Sequence, residues 1–364
     1  MKKIKMNLDK RLSASYDICI GRNILDRMGL LLAKSAWGAR YVIVTDTNVA
    51  ALHGERVLSL LRGLNLNVDL VEFPAGEASK TMDVCLRLTE RLMNLGVDRT
   101  SALIAMGGGV VGDMTGFVAS IYMRGIPCIQ VPTTLLAQVD SSIGGKTGVD
   151  LPSGKNLLGT FSQPKAVFVD LAFLETLPER EFQNGLAEIV KYGVIEDPEL
   201  LQILETETEA IRSRNPALIE RIVTRSCRIK KAIVEIDETE KGLRRVLNFG
   251  HTIGHAVEAE SGYTVSHGQG VAMGMAAAAR LAESLAYLPA LDRERIENLL
   301  ERIGLPRRIP AELDRDRLLA RIKRDKKKQG HLTPFVLLKK IGQPFINGTI
   351  PAETVGRTLE AVQS

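Results

Sequence analysis

The chain has 364 residues, room for two domains and a sizeable core, and its 45% hydrophobic and 25% charged content is that of an ordinary soluble globular protein. Its 48 Lys and Arg against 43 Asp and Glu leave a mild net charge of +5, and only 4% of residues are aromatic. That balance excludes the basic, aromatic-laced stripe of a nucleic-acid binder and suits an anionic small molecule. No stretch approaches the ~20 apolar residues of a membrane span, and the first ten residues lack the apolar segment of a signal peptide. Cys19, Cys85, Cys128 and Cys227 are scattered, without a CxxC pair. The expectation is a cytoplasmic protein in a reducing compartment, with no disulfide framework and no membrane partner.

In chain order, Tyr16–Ile20 reads as a short strand, followed by a helix from near Asn23. Tyr41–Thr45 reads as a buried strand, and Asp46-Thr47-Asn48 can cap the helix after it. A strand over Val68–Phe73, a helix over Lys80–Leu95 and a strand over Ser101–Met106 follow. Strand and helix in alternation predict a parallel sheet with helices on its faces. The third strand runs into Gly107-Gly108-Gly109-Val110-Val111-Gly112-Asp113 and a helix over Met114–Tyr122. Glycines at that point let backbone amides approach a phosphate at a helix N-terminus, so a dinucleotide pyrophosphate is the preferred ligand. The run is not the standard GxGxxG, and a tight packing turn is the alternative. Ile126–Val131 is a further strand. Residues 138–161, rich in Gly, Ser, Thr, Lys and Asn, read as a long functional loop with Asp140, Lys146, Lys155 and Asn156 suited to phosphate and hydroxyls. Val167–Asp170 closes this half.

From Pro178 the period becomes helical: 180–196, 198–213, 216–235, 251–260, 268–286 and 293–303, with a small hairpin near 331–341. The domains are therefore expected over 1–177 and 178–364. Lys323–Lys328 reads as a solvated face, with a lysine able to reach an anionic substrate.

Three of the five histidines fall between Arg244 and His267. His251 and His255 are four apart and share a helix face; His267 follows on what reads as a loop before the next helix. Surface or satisfied core histidines are the plainer explanation for the pair, but a third in so histidine-poor a chain points to a metal site. Glu188 and Lys191, three apart on an apolar helix, are an ion pair or, with two histidines, the carboxylate of a catalytic zinc set.

With these residues assembled the sequence resembles the 3-dehydroquinate synthase family of sugar phosphate cyclases over nearly its whole length. The motifs are GGGVVGD, YMRG, VPTTLLAQVDSSIGGKT, GKNLLGTF, NGLAEIVKYG and LNFGHTIGHAVE with the later SHG. The resemblance implies a Rossmann-like N-terminal NAD-binding α/β domain, a C-terminal all-α metal-binding domain, and an active site in the cleft between. It implies zinc or cobalt held by Glu188, His251 and His267, with His255 on the proton-transfer side. The spacing alone would make both His251 and His255 ligands. It implies NAD contacts from Asp46, Asn48, Glu77, Lys80, Gly107, Gly108, Gly109, Val110, Val111, Asp113, Thr133, Thr134, Lys146, Lys155, Phe173 and Thr176. It implies substrate contacts from Arg124, Asp140, Lys146, Asn156, Lys191, Lys230, Arg244, Asn248 and His255, and from one lysine of the 326–328 run, taken as Lys327. Lys230 and Arg244 match carboxylate-binding positions, and Lys146, Asn156, Lys191 and Asn248 a phosphate pocket. Arg124 is implied to reach across a homodimer. One departure is visible: Gly268-Gln269-Gly270-Val271 stands where Gly-Glu-Ala-Val is expected, which removes a charge near His267.

The activity implied belongs to the shikimate pathway: 3-deoxy-D-arabino-heptulosonate 7-phosphate becomes 3-dehydroquinate and phosphate by transient oxidation, phosphate elimination, re-reduction and aldol closure. The alternatives are another sugar-phosphate cyclase, against which Lys230 and Arg244 argue, or a metal-dependent NAD polyol or glycerol-phosphate dehydrogenase. A non-enzymatic nucleotide-binding module is disfavoured by the histidine cluster.

Overall fold

The computed structural model of the chain describes residues 15–328 and 334–363, with residues 324–328 described by their backbone alone. Strands β1 (Asp17–Gly21), β2 (Arg40–Asp46), β3 (Val68–Phe73), β4 (Ser101–Gly107), β5 (Cys128–Pro132) and β8 (Ala166–Asp170) form one parallel sheet in the order β1-β8-β5-β4-β2-β3. The inner strands β4, β5 and β8 are buried throughout, and β2 nearly so, because helices cover both faces of such a sheet. The connecting helices are α1 (Leu25–Lys34), α2 (Thr47–Val49), α3 (Glu55–Gly63), α4 (Met82–Asn94) and α5 (Gly109–Ile121). Together with an antiparallel pair, β6 (Lys146–Leu151) and β7 (Gly154–Phe161), these elements make one unit, ending at Pro132 and resuming over Gly145–Asp170.

Two local expectations are corrected here. Helix α5 begins at Gly109, five residues before the expected Met114, so most of the glycine run is helical. Gly112 and Gly116 serve packing: a Cβ on either would stand 2.8 Å from Gln130 Oε1 or 2.5 Å from Thr147 Cγ2. The expected loop 138–161 holds the β6–β7 hairpin. Gly148 and Gly159 are paired across it, and a Cβ on them would lie 2.6 Å from Leu158 O and 2.0 Å from Thr147 O. Strands that close replace side-chain alternation with glycines, so no apolar period was visible.

The second unit comprises Thr133–Gly144 and the described residues from Leu171 onward. The chain leaves the first unit where β8 ends, seven residues before the expected boundary. Thr133–Gly144 folds with the helical unit because Leu135, Ala137, Val139 and Ile143 are buried there, and Tyr192 and Cys227 hydrogen-bond to its carbonyls. The helices are α6 (Glu179–Ile195), α7 (Pro198–Thr206), α8 (Thr208–Arg212), α9 (Pro216–Ile236), α10 (His251–Glu260), α11 (His267–Ser284), α12 (Ala290–Arg302), α13 (Arg315–Lys328) and α14 (Ala352–Val362). α7 and α8 divide the single helix expected over 198–213. α13 and α14 were not anticipated; α13 is so charged that Leu318 and Ile322, one turn apart, are its buried anchors. The hairpin is β9 (Phe335–Lys340) and β10 (Gln343–Asn347), and His331 lies outside the described residues. No described helix is long and apolar enough to cross a membrane.

Candidate active site

Helices α10 and α11 come together through glycine. A Cβ on Gly274 would lie 1.9 Å from Gly250 O, one on Gly254 2.7 Å from Gly270 O, and one on Gly250 2.7 Å from Val271 O. Gly250 also holds φ +82° just before α10, a conformation that costs glycine nothing. This contact sets His251, first in α10, beside His267, first in α11, with ring centroids 5.4 Å apart. His267 therefore belongs to a helix, not to the loop before one. α6 completes the cluster: Gly268 N donates to Asn184 Oδ1 at 2.9 Å, and Glu188 lies fully buried one turn further along.

Glu188 Oε1 stands 3.7 Å from His251 Nε2 and 3.4 Å from His267 Nε2 and has no hydrogen-bond partner among the described residues, while its other oxygen accepts from Lys191 Nζ. A buried carboxylate oxygen without a partner is costly, and a cation between it and two imidazole nitrogens removes the cost. The outer nitrogens are already engaged. His251 Nδ1 faces Phe249 O at 3.2 Å, and His267 Nδ1 faces Glu258 Oε1 at 3.1 Å. These bonds turn both Nε2 atoms inward, as metal-ligating histidines require. Glu188, His251 and His267 thus fit a divalent ion.

Titration follows the same geometry. Burial works to raise the Glu188 carboxyl, but Lys191 outweighs it and holds it down at about 2. Burial and the Lys191 charge push His251 well below the usual imidazole range. Burial also works to lower His267, yet Glu188 and Glu258 outweigh it and raise it to about 10. Without an ion, a proton on His267 occupies the place of the cation.

A second polar group adjoins. Lys230 Nζ donates to Asp140 Oδ1 at 2.7 Å, and the buried Tyr192 hydroxyl donates to the same oxygen at 2.5 Å. Burial works against the Asp140 carboxylate, but Lys230 and Lys191 hold it ionised. Arg244, buried, donates to Gly144 O and Glu238 O, and Asn248 Nδ2 donates to Glu240 Oε1 at 2.9 Å. Four carboxylates (Asp140, Glu188, Glu240, Glu258) face three cations (Lys191, Lys230, Arg244). A divalent ion turns that balance from one negative charge to one positive, which an anionic ligand would neutralise.

In the first unit the strand order reverses between β2 and β4, and ligands of open parallel sheets bind beyond the strand ends at such a point. Asp46, ending β2, accepts from Asn48 N and Val49 N, as the capping reading expects. Gly107–Gly109, ending β4, opens the 13-residue helix α5, and Gly107 also packs, since its Cβ would meet Val111 at 2.4 Å. Lys80 Nζ donates to Asp113 Oδ2 at 2.6 Å, and Lys155 pairs with Glu77 at 3.0 Å. Lys146 opens β6 on the surface, and Arg124 is exposed with φ +71°. Thr133, Thr134, Phe173 and Thr176 belong to the second unit; Thr134 Oγ1 accepts from Ala137 N and Thr176 Oγ1 donates to Phe173 O. His255 is exposed, its ring 5.2 Å from that of His251. The side chain of Lys327 lies outside the described residues.

Sequence reasoning passed over Tyr192 and Glu258. Glu258 shares the helix of His251 and His255, three after His255, a spacing that could have drawn attention to it. It also supplies the negative charge beside His267. Gln269 instead accepts from Ser266 N and Oγ at 3.0 Å in a capping box that starts α11.

The family models for the 3-dehydroquinate synthase N-terminal and C-terminal domains match residues 70–184 and 185–328. The 3-dehydroquinate synthase of Symbiobacterium thermophilum is 45% identical, covering 96% of this chain and 98% of its own. That of Thermodesulfovibrio yellowstonii is 43% identical, covering 99% of each. Among solved structures, 2-epi-5-epi-valiolone synthase from Streptomyces hygroscopicus, with NAD+ and Zn2+ bound, superposes with a TM-score of 0.90 at 28% identity over 99% of each chain. A 2-deoxy-scyllo-inosose synthase complexed with carbaglucose-6-phosphate, NAD+ and Co2+ gives 0.85 at 28% identity, over 95% of this chain and 96% of its own. Glycerol dehydrogenase from Schizosaccharomyces pombe, 16% identical, shares the fold with a TM-score of 0.69 over 95% of this chain and 88% of its own. The chain belongs to the 3-dehydroquinate synthase family.

Two outcomes are expected. Glu188→Gln abolishes stoichiometric zinc or cobalt, whereas His255→Ala retains it and lowers turnover ~10²–10⁴-fold, the range of a general acid–base group; metal analysis beside kinetics checks this, and metal loss in His255→Ala would make that residue a ligand. Because His267 is protonated up to about pH 10 in the metal-free protein, cobalt uptake near pH 8 releases ~1 proton per ion. Titration in weakly buffered solution with a pH indicator reads it, and uptake without proton release contradicts the geometry.

Proposed function

We infer that the chain converts 3-deoxy-D-arabino-heptulosonate 7-phosphate into 3-dehydroquinate and phosphate, using NAD without net redox. Family membership supports this, but the observation that carries it is the fully buried Glu188 oxygen, unpartnered between two inward imidazole nitrogens, in a network whose charge exceeds neutrality once a divalent ion is bound. When bound, NAD supplies hydride acceptance and return, and the metal supplies Lewis acidity at the substrate hydroxyls.

The chain's own residues supply binding, orientation and proton movement. Lys230 and Arg244 bind the substrate carboxylate. Both are buried and their stems fixed, which suits them to a carboxylate at that place. Lys191 and Asn248 of the second unit bind the phosphate that leaves, and Lys146 and Asn156 are the phosphate-side residues of the first unit. Asp140 orients Lys230 and is itself oriented by Tyr192. His255 moves the proton at the hydroxyl being oxidised or at the aldol stage; its ring is exposed, 5.2 Å from that of His251. Asp46, Asn48, Glu77, Lys80, Asp113, Lys155 and the Gly107–Val111 turn form the dinucleotide side.

The working unit is a cytoplasmic homodimer in this reading. Four free cysteines are consistent with a reducing compartment. Leu157, Leu158 and Phe161 of β7 and Ile121 and Met123 are exposed, and Thr160 Oγ1 donates to Ser120 Oγ at 2.8 Å, which brings the two stretches side by side. Apolar side chains exposed on a two-stranded sheet call for cover. Met123 and Arg124 there hold consecutive left-handed φ of +52° and +71°, backbone strain that a role for Arg124 across the interface would account for.

The reaction is tested with metal-loaded protein, NAD and the heptulosonate phosphate, following phosphate and absorbance of NADH together. Phosphate release without lasting NADH is expected; lasting NADH from a polyol with no phosphate release would indicate a dehydrogenase. Light scattering is expected to give twice the chain mass, and the double change Leu157→Glu with Phe161→Glu to give one chain mass. A monomeric wild type contradicts the dimer.

A further inference from the structure

The segment between β3 and α4 is stitched to the β6–β7 hairpin at three points within the first unit, and a fourth bond braces the hairpin itself. Lys155 Nζ meets Glu77 Oε1 at 3.0 Å, and Asp150 N donates to Lys80 O at 2.8 Å. Asn156 N donates to Asp150 Oδ1 at 2.8 Å. Lys80 Nζ donates to Asn156 Oδ1 at 2.6 Å while also donating to Asp113 Oδ2 at 2.6 Å. The Lys80 side chain is only 5% exposed, so its charge depends on these partners. Asn156 sits beside a register shift in the hairpin and holds φ +54°, a left-handed conformation that asparagine tolerates. The backbone there thus aims the Asn156 side chain at one ammonium.

We propose that Lys80 is a positioning residue through which dinucleotide binding sets the place of Asn156, so that NAD orders the hairpin for the sugar phosphate. Lys80, Glu77, Lys155 and Asp113 lie on the cofactor side and Asn156 on the phosphate side of the proposed site; one ammonium joins them. A ligand that immobilises the Glu77–Lys80 segment removes freedom from the hairpin as well, and the next ligand pays less to order it. Linkage makes the effect reciprocal: NAD and the sugar phosphate raise each other's affinity, by about 5- to 150-fold for typical coupling. The inference rests on the reading that this unit binds NAD.

Hydrogen exchange of the full-length, metal-loaded protein, with and without saturating NAD, tests it in the wild type, Lys80→Met and Asn156→Gly. Glycine accepts the φ of residue 156, so that variant removes the side-chain link without backbone strain. In the wild type NAD is expected to slow exchange both at residues 107–113 and across the hairpin, 147–160. In both variants the NAD-dependent protection of the hairpin is lost, and in Asn156→Gly the protection at 107–113 persists. Asn156→Gly is expected to raise KM for the sugar phosphate while the Kd of NAD in the absence of sugar phosphate stays within about twofold. Hairpin protection that survives in Asn156→Gly, or a wild-type hairpin that ignores NAD while 107–113 is protected, overturns the coupling. A wild type with no protection at 107–113 overturns NAD binding itself, and the coupling with it.

Discussion

A carboxylate shut away from water has to find its counter-charge inside the protein, and Glu188 finds only half of it. Lys191 satisfies one oxygen; the other faces His251 Nε2 at 3.7 Å and His267 Nε2 at 3.4 Å, without a hydrogen-bond partner among the described residues. Much of the second unit maintains this arrangement. Glycines at 250, 254, 270 and 274 remove the side chains that would hold α10 away from α11. The carbonyl of Phe249 and the carboxylate of Glu258 fix the outward nitrogens of the two rings. The pocket is therefore built for a cation before any ion arrives, and its neighbours Lys191, Lys230 and Arg244 supply the excess charge an anionic substrate would meet.

The first unit answers to a different constraint. A parallel sheet buried on both faces leaves only its strand ends for recognition, and the order reversal between β2 and β4 opens a place there. Asp46 and the glycine run stand at those two ends. The same unit carries Lys80, a buried ammonium that the helix bearing Asp113 and the hairpin bearing Asn156 both need. The helix and the hairpin thus share one electrostatic anchor.

Much of this was legible in the residues. Strands such as Tyr41–Thr45 and Ser101–Gly107 show as apolar runs because both faces are covered. The metal set was half legible. Spacing pairs His251 with His255, since four residues share a helix face; only the tertiary approach of α11 brings in His267, and the family resemblance had to supply that. The hairpin at 146–161 was hidden because glycine takes the place of alternating side chains. α13 was hidden because two buried residues suffice to anchor a highly charged helix. Thr133–Gly144 escaped assignment to the helical unit because its apolar residues look the same whichever core they enter. Tyr192 acts through another residue and no pattern in the sequence marks it, whereas Glu258, three after His255 on one helix, stood at a spacing that could have been read.

The most direct test of the metal centre is anomalous diffraction at the cobalt edge from crystals of the cobalt-loaded protein. The account predicts one peak per chain at about 2.0–2.2 Å from Glu188 Oε1, His251 Nε2 and His267 Nε2. A peak bound by His255 in place of His267, or no peak at Glu188 in protein that carries stoichiometric cobalt, would contradict it.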